Sequence, residues 1–268
     1  IDDRSQIFFS TRGLGAAAKN EVLVELFEKQ NYQVQIKKFS EIDLLNTKYE
    51  NFLVLYHSTE DPGLLYKDYI EDILLGLQLQ GAVLIPKFEY FRAHHNKVFM
   101  EILRPTFDKS KDLQSLFFGT LEELLEYKNK FIFPLVLKSS AGARSEGVFL
   151  LKNLSELILV AKRTMRSLAF ENAKMFVKSI LKNKKYLYFS NHRRKIILQK
   201  YIPGLSGDFK VLIYWDKYYI VERKNRTNDF RASGSGILSF PSEINEELLQ
   251  YSMNIFKIAK VPYMGLDI

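Results

Sequence analysis

Lys138 ends an apolar run, FPLVLK at 133–138, and is followed by SSAGARSEG and a second apolar run at 147–151. Two strands joined by a loop of serine, glycine and alanine make a hairpin flap whose backbone N–H groups can close over an anion. A lysine at the foot of such a flap is a point charge for phosphate. An ordinary exposed turn accounts for the same residues. The loop is not a Walker-type P-loop, because GxxxxGK[ST] is absent and no helix is signalled directly after it. Gly13 and Gly15 follow a short apolar run at 6–10, but the GxGxxG dinucleotide pattern is incomplete. His94 and His95 are adjacent, so on a helix they point apart and lack the i, i+4 partner a metal needs; they read as helix-entry residues. No Ser/His/Asp or Cys nucleophile pattern appears.

The elements that must position Lys138 belong to a chain of 268 residues, long enough for two or three subdomains with their own cores. Hydrophobic residues at 47% and charged ones at 26% are ordinary for a globular protein. No apolar run approaches the ~18 residues of a membrane span, and no signal peptide is visible, so a cytoplasmic enzyme is the expectation. Zero cysteines exclude a disulfide scaffold and thiolate metal sites. The net charge of +8 suits phosphate-rich ligands and equally an unspecific basic surface. Residues 174–200 hold nine Lys or Arg and no acid, which reads as a solvated helix face with a mobile loop or as a contact for an acidic partner.

Along the chain, apolar spacing predicts strands at 6–10, 32–39, 51–57 and 82–86 and helices at 16–30 and 65–80. Strand–helix–strand at these lengths implies parallel pairing in a small α/β domain. A helix over 93–104 begins behind His94, His95 and Asn96 with Lys97 in its first turn. A short helix at 121–127, the flap hairpin and a helix over 154–182, broken near Phe170, follow. Residues 196–224 predict three strands of one antiparallel sheet with a turn at Asp216-Lys217. A glycine- and serine-rich loop at 228–240 contains Arg231, an amphipathic helix spans 243–260, and the chain ends on MGLDI, a strand cut short.

Taken in order, the features are a small α/β domain, a helix opening on Asn96-Lys97, a strand with Lys138 and a small-residue flap, QKYIPG…GDFKV, Arg223, FRASGSG, and a strand bearing Asp267. This order resembles the ATP-grasp ligase superfamily, in particular its branch with D-alanine–D-alanine ligase, glutathione synthetase and the ribosomal-protein glutamate ligase. The resemblance covers nearly the whole chain. It implies an α/β (α+β) ATP-grasp fold with an N-terminal Rossmann-like domain over 1–95, a subdomain with the phosphate flap over 96–198, and a C-terminal subdomain over 199–268.

Carried residue by residue, the resemblance makes Lys97 and Lys138 the two lysines on the nucleotide phosphates. Ser139, Ser140, Gly142 and Gly147 fall in the phosphate flap, where the glycines permit close backbone approach. Gln199, Lys200, Tyr201 and Ile202 are similar to the adenine hinge, with the Lys200 C=O and Ile202 N–H turned to the purine; many relatives carry Glu at or beside Gln199. Asp208 matches the acid at the ribose end, or is a turn residue before a strand. Arg223 and Arg231 match arginines at the triphosphate and acyl phosphate, where a planar, permanently charged fork suits a moving phosphoryl group. Ser233 stands where several relatives have Asn, and Asp267 corresponds to the first magnesium ligand, the family's Glu-x-Asn falling after Ile268.

The implied activity is ATP- and Mg2+-dependent carboxylate–amine ligation through an acyl phosphate, on small-molecule or peptide substrates, with no nucleic acid and a homo-oligomer open. The donor and acceptor are not legible; amino acids, a ribosomally made peptide and a surface-polysaccharide decoration all qualify. A small-molecule phosphotransferase and a nucleotide-binding module without turnover are the alternatives.

Overall fold

Three buried apolar clusters organise the described residues, one before a division of the chain between Arg92 and Ala93 and two after it. The computed structural model describes residues 20–56, 62–108, 114–142, 147–167 and 190–268, with 173–174, 177–178 and 180 besides. The strand expected at 6–10, Gly13 and Gly15, the break near Phe170, the flap tip at 143–146 and the basic residues 181–189 lie outside the described residues.

In the first unit, α1 (Asn20–Glu28) precedes a 3-10 turn, Phe39–Glu41. Strands β1 (Leu53–Leu55) and β2 (Val83–Ile85) pair in parallel, and α2 (Leu65–Leu79) is the crossover between them. The α2 residues Ile70, Leu74 and Leu77 recur at helical spacing and are fully buried with Phe39. The strand expected at 32–39 does not form; 32–38 are irregular and 39–41 are 3-10 helix. Its alternating apolar residues found no strand to pair with among the described residues, and Tyr32 and Ile36 remain exposed while Phe39 alone enters the core.

In the second unit, α3 (Phe88–His94), which spans the division, leads to α4 (Lys97–Leu103). Next come β3 (Ser115–Phe118), α5 (Leu121–Glu126), β4 (Leu135–Ser139), β5 (Val148–Leu151) and α6 (Leu154–Met165), then β6 (Ile196–Lys200). These four strands form an antiparallel sheet in the order β3-β6-β4-β5. Strand parity sorts its two faces. Phe118, Ile196, Leu198, Leu135, Leu137 and Leu151 point to one face and pack on Leu121, Leu124, Leu157 and Met165 of α5 and α6. Ser115, Gln199, Val136 and Lys138 share the other face. Burying Leu137 completely contributes about 2–3 kcal/mol. Local signals start both helices. Thr120 and Glu123 form a capping box at α5, and the Asn153 side chain accepts the Glu156 N–H at α6.

The second sheet has the order β10-β7-β8-β9, from β7 (Gly207–Tyr214), β8 (Lys217–Lys224), β9 (Leu238–Ser239) and β10 (Tyr263–Asp267). Helix α7 (Glu246–Ala259) covers Val211, Ile213 and Ile220 with Leu248, Met253 and Phe256. The expectation of one antiparallel sheet across 196–224 is corrected here. β6 joins the first sheet and β7–β8 the second. Its residues 196–199 are all buried, which a central strand between β3 and β4 satisfies and a partly covered hairpin strand does not. The β7–β8 turn falls on Trp215-Asp216, one residue earlier than expected, with Trp215 at φ +56°.

Candidate functional site

The flap and helix α4 are built as one piece. Asn96, 6% exposed, caps α4 by accepting the Phe99 N–H at 3.2 Å, and its same oxygen accepts the Ser140 hydroxyl at 3.1 Å. The Lys97 N–H donates to the Ser140 carbonyl at 2.9 Å, the Ser140 N–H donates to the Lys195 carbonyl at 3.3 Å, and Lys97 Nζ donates to the Gly142 carbonyl. Every polar group of Ser140 therefore holds the flap base to the start of α4 and to Lys195, the residue before β6. Ser139 closes the hairpin, its N–H on the Gly147 carbonyl at 2.9 Å and its hydroxyl on the Ala141 carbonyl at 2.7 Å. Gly142 and Gly147 sit at φ +111° and +73°, and a Cβ on Gly147 would run into the Ser139 hydroxyl.

Lys138 lies half-buried at the foot of this flap, opposite Ile197 on β6 and Val148 on β5. Among the described residues its ammonium has no hydrogen-bond or ion-pair partner. Burial pushes it below its ordinary value of 10.5, while the Glu101 carboxylate pulls it back up and Arg104 adds to the fall. On the same sheet face, Gln199 Nε2 donates to Ser115 Oγ at 2.8 Å, and Ser115 Oγ donates to Glu101 Oε2 at 2.8 Å. Arg104 Nε donates to that carboxylate oxygen at 3.2 Å, and Arg104 Nη1 reaches Asp108 Oδ2 at 3.5 Å. Gln199, 3% exposed, thus faces α4 and is spent on this chain. The next hinge residue, Lys200, is exposed at the end of β6. Beyond it, the Tyr201 N–H donates to the Pro134 carbonyl at 3.3 Å, and Ile202 is 43% exposed with no N–H partner among the described residues.

The second sheet carries a charged group on the face away from α7. Asp208 opposes Arg223, and Asp267 opposes Lys210. Asp208 grips Arg223 with both oxygens, Oδ1 to Nε at 2.6 Å and Oδ2 to Nη2 at 2.8 Å, while Asp267 Oδ1 takes Nη2 at 3.1 Å and lies 3.8 Å from Lys210 Nζ. Burial of Arg223 works against its charge, but the hydrogen bonds and charges of Asp208 and Asp267 outweigh it and raise its pKa. Asp208 therefore fixes Arg223. Lys210 was missed in the sequence reading, although the period of two from Asp208 puts it on the same face.

Arg231 ties the two sheets together. Its Nε and Nη2 bind Asp229 at 2.9 and 2.8 Å, and its Nη1 approaches the Val148 carbonyl of the flap hairpin at 3.5 Å. The Asp229 carboxyl, hydrogen-bonded by Arg231, is held down at about 2. Phe230 meets the hinge residue Tyr201 edge to face at 6.0 Å. Ser233 is half-buried in the same loop. The candidate residues thus fall into a flap group around Lys97 and Lys138 and a sheet group around Arg223 and Asp267. Glu101, Ser115, Lys210 and Asp229 are the additions, and for Glu101 the available signal was its i+4 spacing from Lys97. Among the described residues no cluster of three or more His, Asp or Glu side chains is gathered as for a metal ion.

No protein-family model and no curated protein sequence matches the chain. Solved structures do. D-cycloserine synthetase is similar over 91% of this chain and 79% of its own, at 12% identity and a TM-score of 0.51. A RimK domain ATP-grasp protein from Sphaerobacter thermophilus matches over 92% and 80%, at 12% identity and 0.49. D-alanine–D-alanine ligase from Bacillus anthracis matches over 89% and 72%, at 18% identity and 0.45. With its two antiparallel sheets joined through the flap and the Arg231 loop, the chain has the ATP-grasp fold.

Proposed function

We propose that the chain is an ATP-dependent carboxylate–amine ligase, organised as three subdomains over 1–95, 96–198 and 199–268. The observation that carries this reading is a glycine-hinged flap tied to α4 through Asn96 and Lys97, with the half-buried ammonium of Lys138 at its foot, which has no ion-pair partner among the described residues. Lys97 and Lys138 would bind the phosphates of ATP, and the Ile202 N–H and Lys200 C=O the adenine edge. Arg223 and Arg231 would stabilise charge on the transferring phosphoryl group, each held in place by an aspartate. A substrate carboxylate would attack the γ-phosphorus and displace ADP. An amine would then attack the acyl carbon, losing a proton and expelling phosphate. The protein acts in this scheme by positioning and electrostatics.

Magnesium characteristically takes one or two carboxylates plus nucleotide phosphates, and the exposed Asp267 fits that donor set as its single protein carboxylate. When bound there, the ion would neutralise phosphate charge. Asp267 is already neutralised by Arg223 and Lys210, which favours, as a second reading, a module that binds nucleotide without turnover. The neighbours include a D-cycloserine synthetase, which supports a small amino-acid-like substrate. Lys138→Met should weaken ATP binding and lower turnover by about 2–4 kcal/mol of transition-state stabilisation without unfolding the protein. Calorimetry with ATP and an assay of amine-dependent phosphate release check this. Unchanged affinity together with unchanged turnover would remove Lys138 from the site, and phosphate release without an amine would point to phosphotransfer.

A further inference from the structure

A lysine beneath a flap is useful to a phosphate only while it carries its charge, and burial works against that charge at Lys138. Among the described residues the surrounding groups can be taken element by element. From α4 and the turn after it come Lys97, Glu101, Arg104 and Asp108. From the C-terminal loop Arg231 reaches Val148, the residue opposite Lys138, but brings Asp229 with it. The strands β3 and β6 offer Ser115, Phe117, Ile197 and Gln199 at this face, none of them charged. Lys97 is taken by the Gly142 carbonyl at the flap. Among the described residues Arg104 is shared between Glu101 at 3.2 Å and Asp108 at 3.5 Å, so two carboxylates stand against one guanidinium.

Glu101 is also immobilised. Lys97 and Glu101 stand at i and i+4 on one face of α4, and Arg104, its C-cap, continues that face at i+7. Ser115 donates to the Glu101 carboxylate and Gln199 donates to Ser115, so the carboxylate is pinned over the sheet face that carries Lys138.

We propose that Glu101 is a positioning residue of the nucleotide site, a carboxylate fixed through Ser115 and Gln199 that keeps Lys138 an ammonium at the foot of the flap. The proposal rests on the ligase reading above and adds the group that maintains the lysine's charge.

Glu101→Gln keeps the size of the side chain and an oxygen for Ser115 while removing the charge. Lysine ¹³Cε resonances, with Lys138 identified by its loss in Lys138→Arg, report the titration without nucleotide. In Glu101→Gln the Lys138 midpoint should fall, and the alkaline limb of ATP affinity should move down with it. Glu101→Asp should restore most of both. A Lys138 midpoint unmoved in folded Glu101→Gln overturns the proposal. Should that variant fail to fold, Ser115→Ala decides, because releasing the Glu101 carboxylate from its anchor must lower the Lys138 midpoint, and an unmoved midpoint overturns the proposal equally. Wild-type protein that binds no ATP would sink the ligase reading; normal wild-type binding with an unshifted Lys138 would sink Glu101 alone.

Discussion

Asp229 and Arg231 show how a short loop fixes a cation that no sheet supports. Two residues apart, they share three side-chain hydrogen bonds between 2.8 and 3.2 Å, and the Arg231 N–H adds a fourth at 3.0 Å. The fork geometry leaves Nη1 for the Val148 carbonyl. Hydrogen bonding to the charged form holds the Asp229 carboxyl at about 2, below its ordinary 3.8. A depressed carboxyl contributes stability that is fully present above 3.8 and is lost as pH falls toward 2. Asp229→Asn should therefore flatten the acid limb of the melting curve between those values, and at neutral pH it should release Arg231 from its aspartate. Identical acid limbs for the two proteins would mean that the pair is screened by solvent and contributes nothing to folding.

At the scale of elements, Asn96 joins a helix to a hairpin through one oxygen. It satisfies an orphan N–H of α4 and fixes the Ser140 hydroxyl 44 residues away. Asn96→Ala should cost about 1–2 kcal/mol, since a cap is lost and a buried hydroxyl loses its acceptor. Because Ser140 anchors the flap, ATP affinity should fall as well, although Asn96 need not touch the nucleotide. Chemical denaturation and calorimetry on the same variant separate the two effects, and wild-type values in both would show that α4 and the flap are held by the Lys97 contacts alone.

At the scale of the whole molecule, the two units have separate apolar clusters. Leu74 is fully buried in the cluster of the first unit, among Phe39, Ile70 and Leu77. Leu74→Ala should cost about 2–5 kcal/mol through lost transfer energy and the cavity left behind. Every residue assigned to nucleotide lies after Arg92, so the affinity for ATP should be retained below the melting transition. A loss of affinity in the folded variant, measured well below its melting temperature, would show that the first unit contributes to nucleotide binding.

The sequence by itself determined what is local. Alternation in LVLKS and IILQK places Lys138 and Gln199 opposite the leucines, and those leucines do enter the core. Asn96-Lys97 marks the start of α4, and the glycines of the hairpin occupy positive φ. Such features rest on side-chain period, capping and backbone sterics, all set within a few residues. Only the tertiary structure decided the rest. Periodicity says which face a side chain occupies but not which strand lies beside it, and register depends on pairing energy between distant segments. That pairing left 32–39 without a partner strand among the described residues, moved β6 out of the β7–β8 sheet, and brought Asp208, Arg223, Lys210 and Asp267 together across three strands. It also turned Glu101, an unremarked helix residue, into the carboxylate that Ser115 and Gln199 hold over the face of Lys138, because α4 crosses that face and no local rule says where a helix will lie.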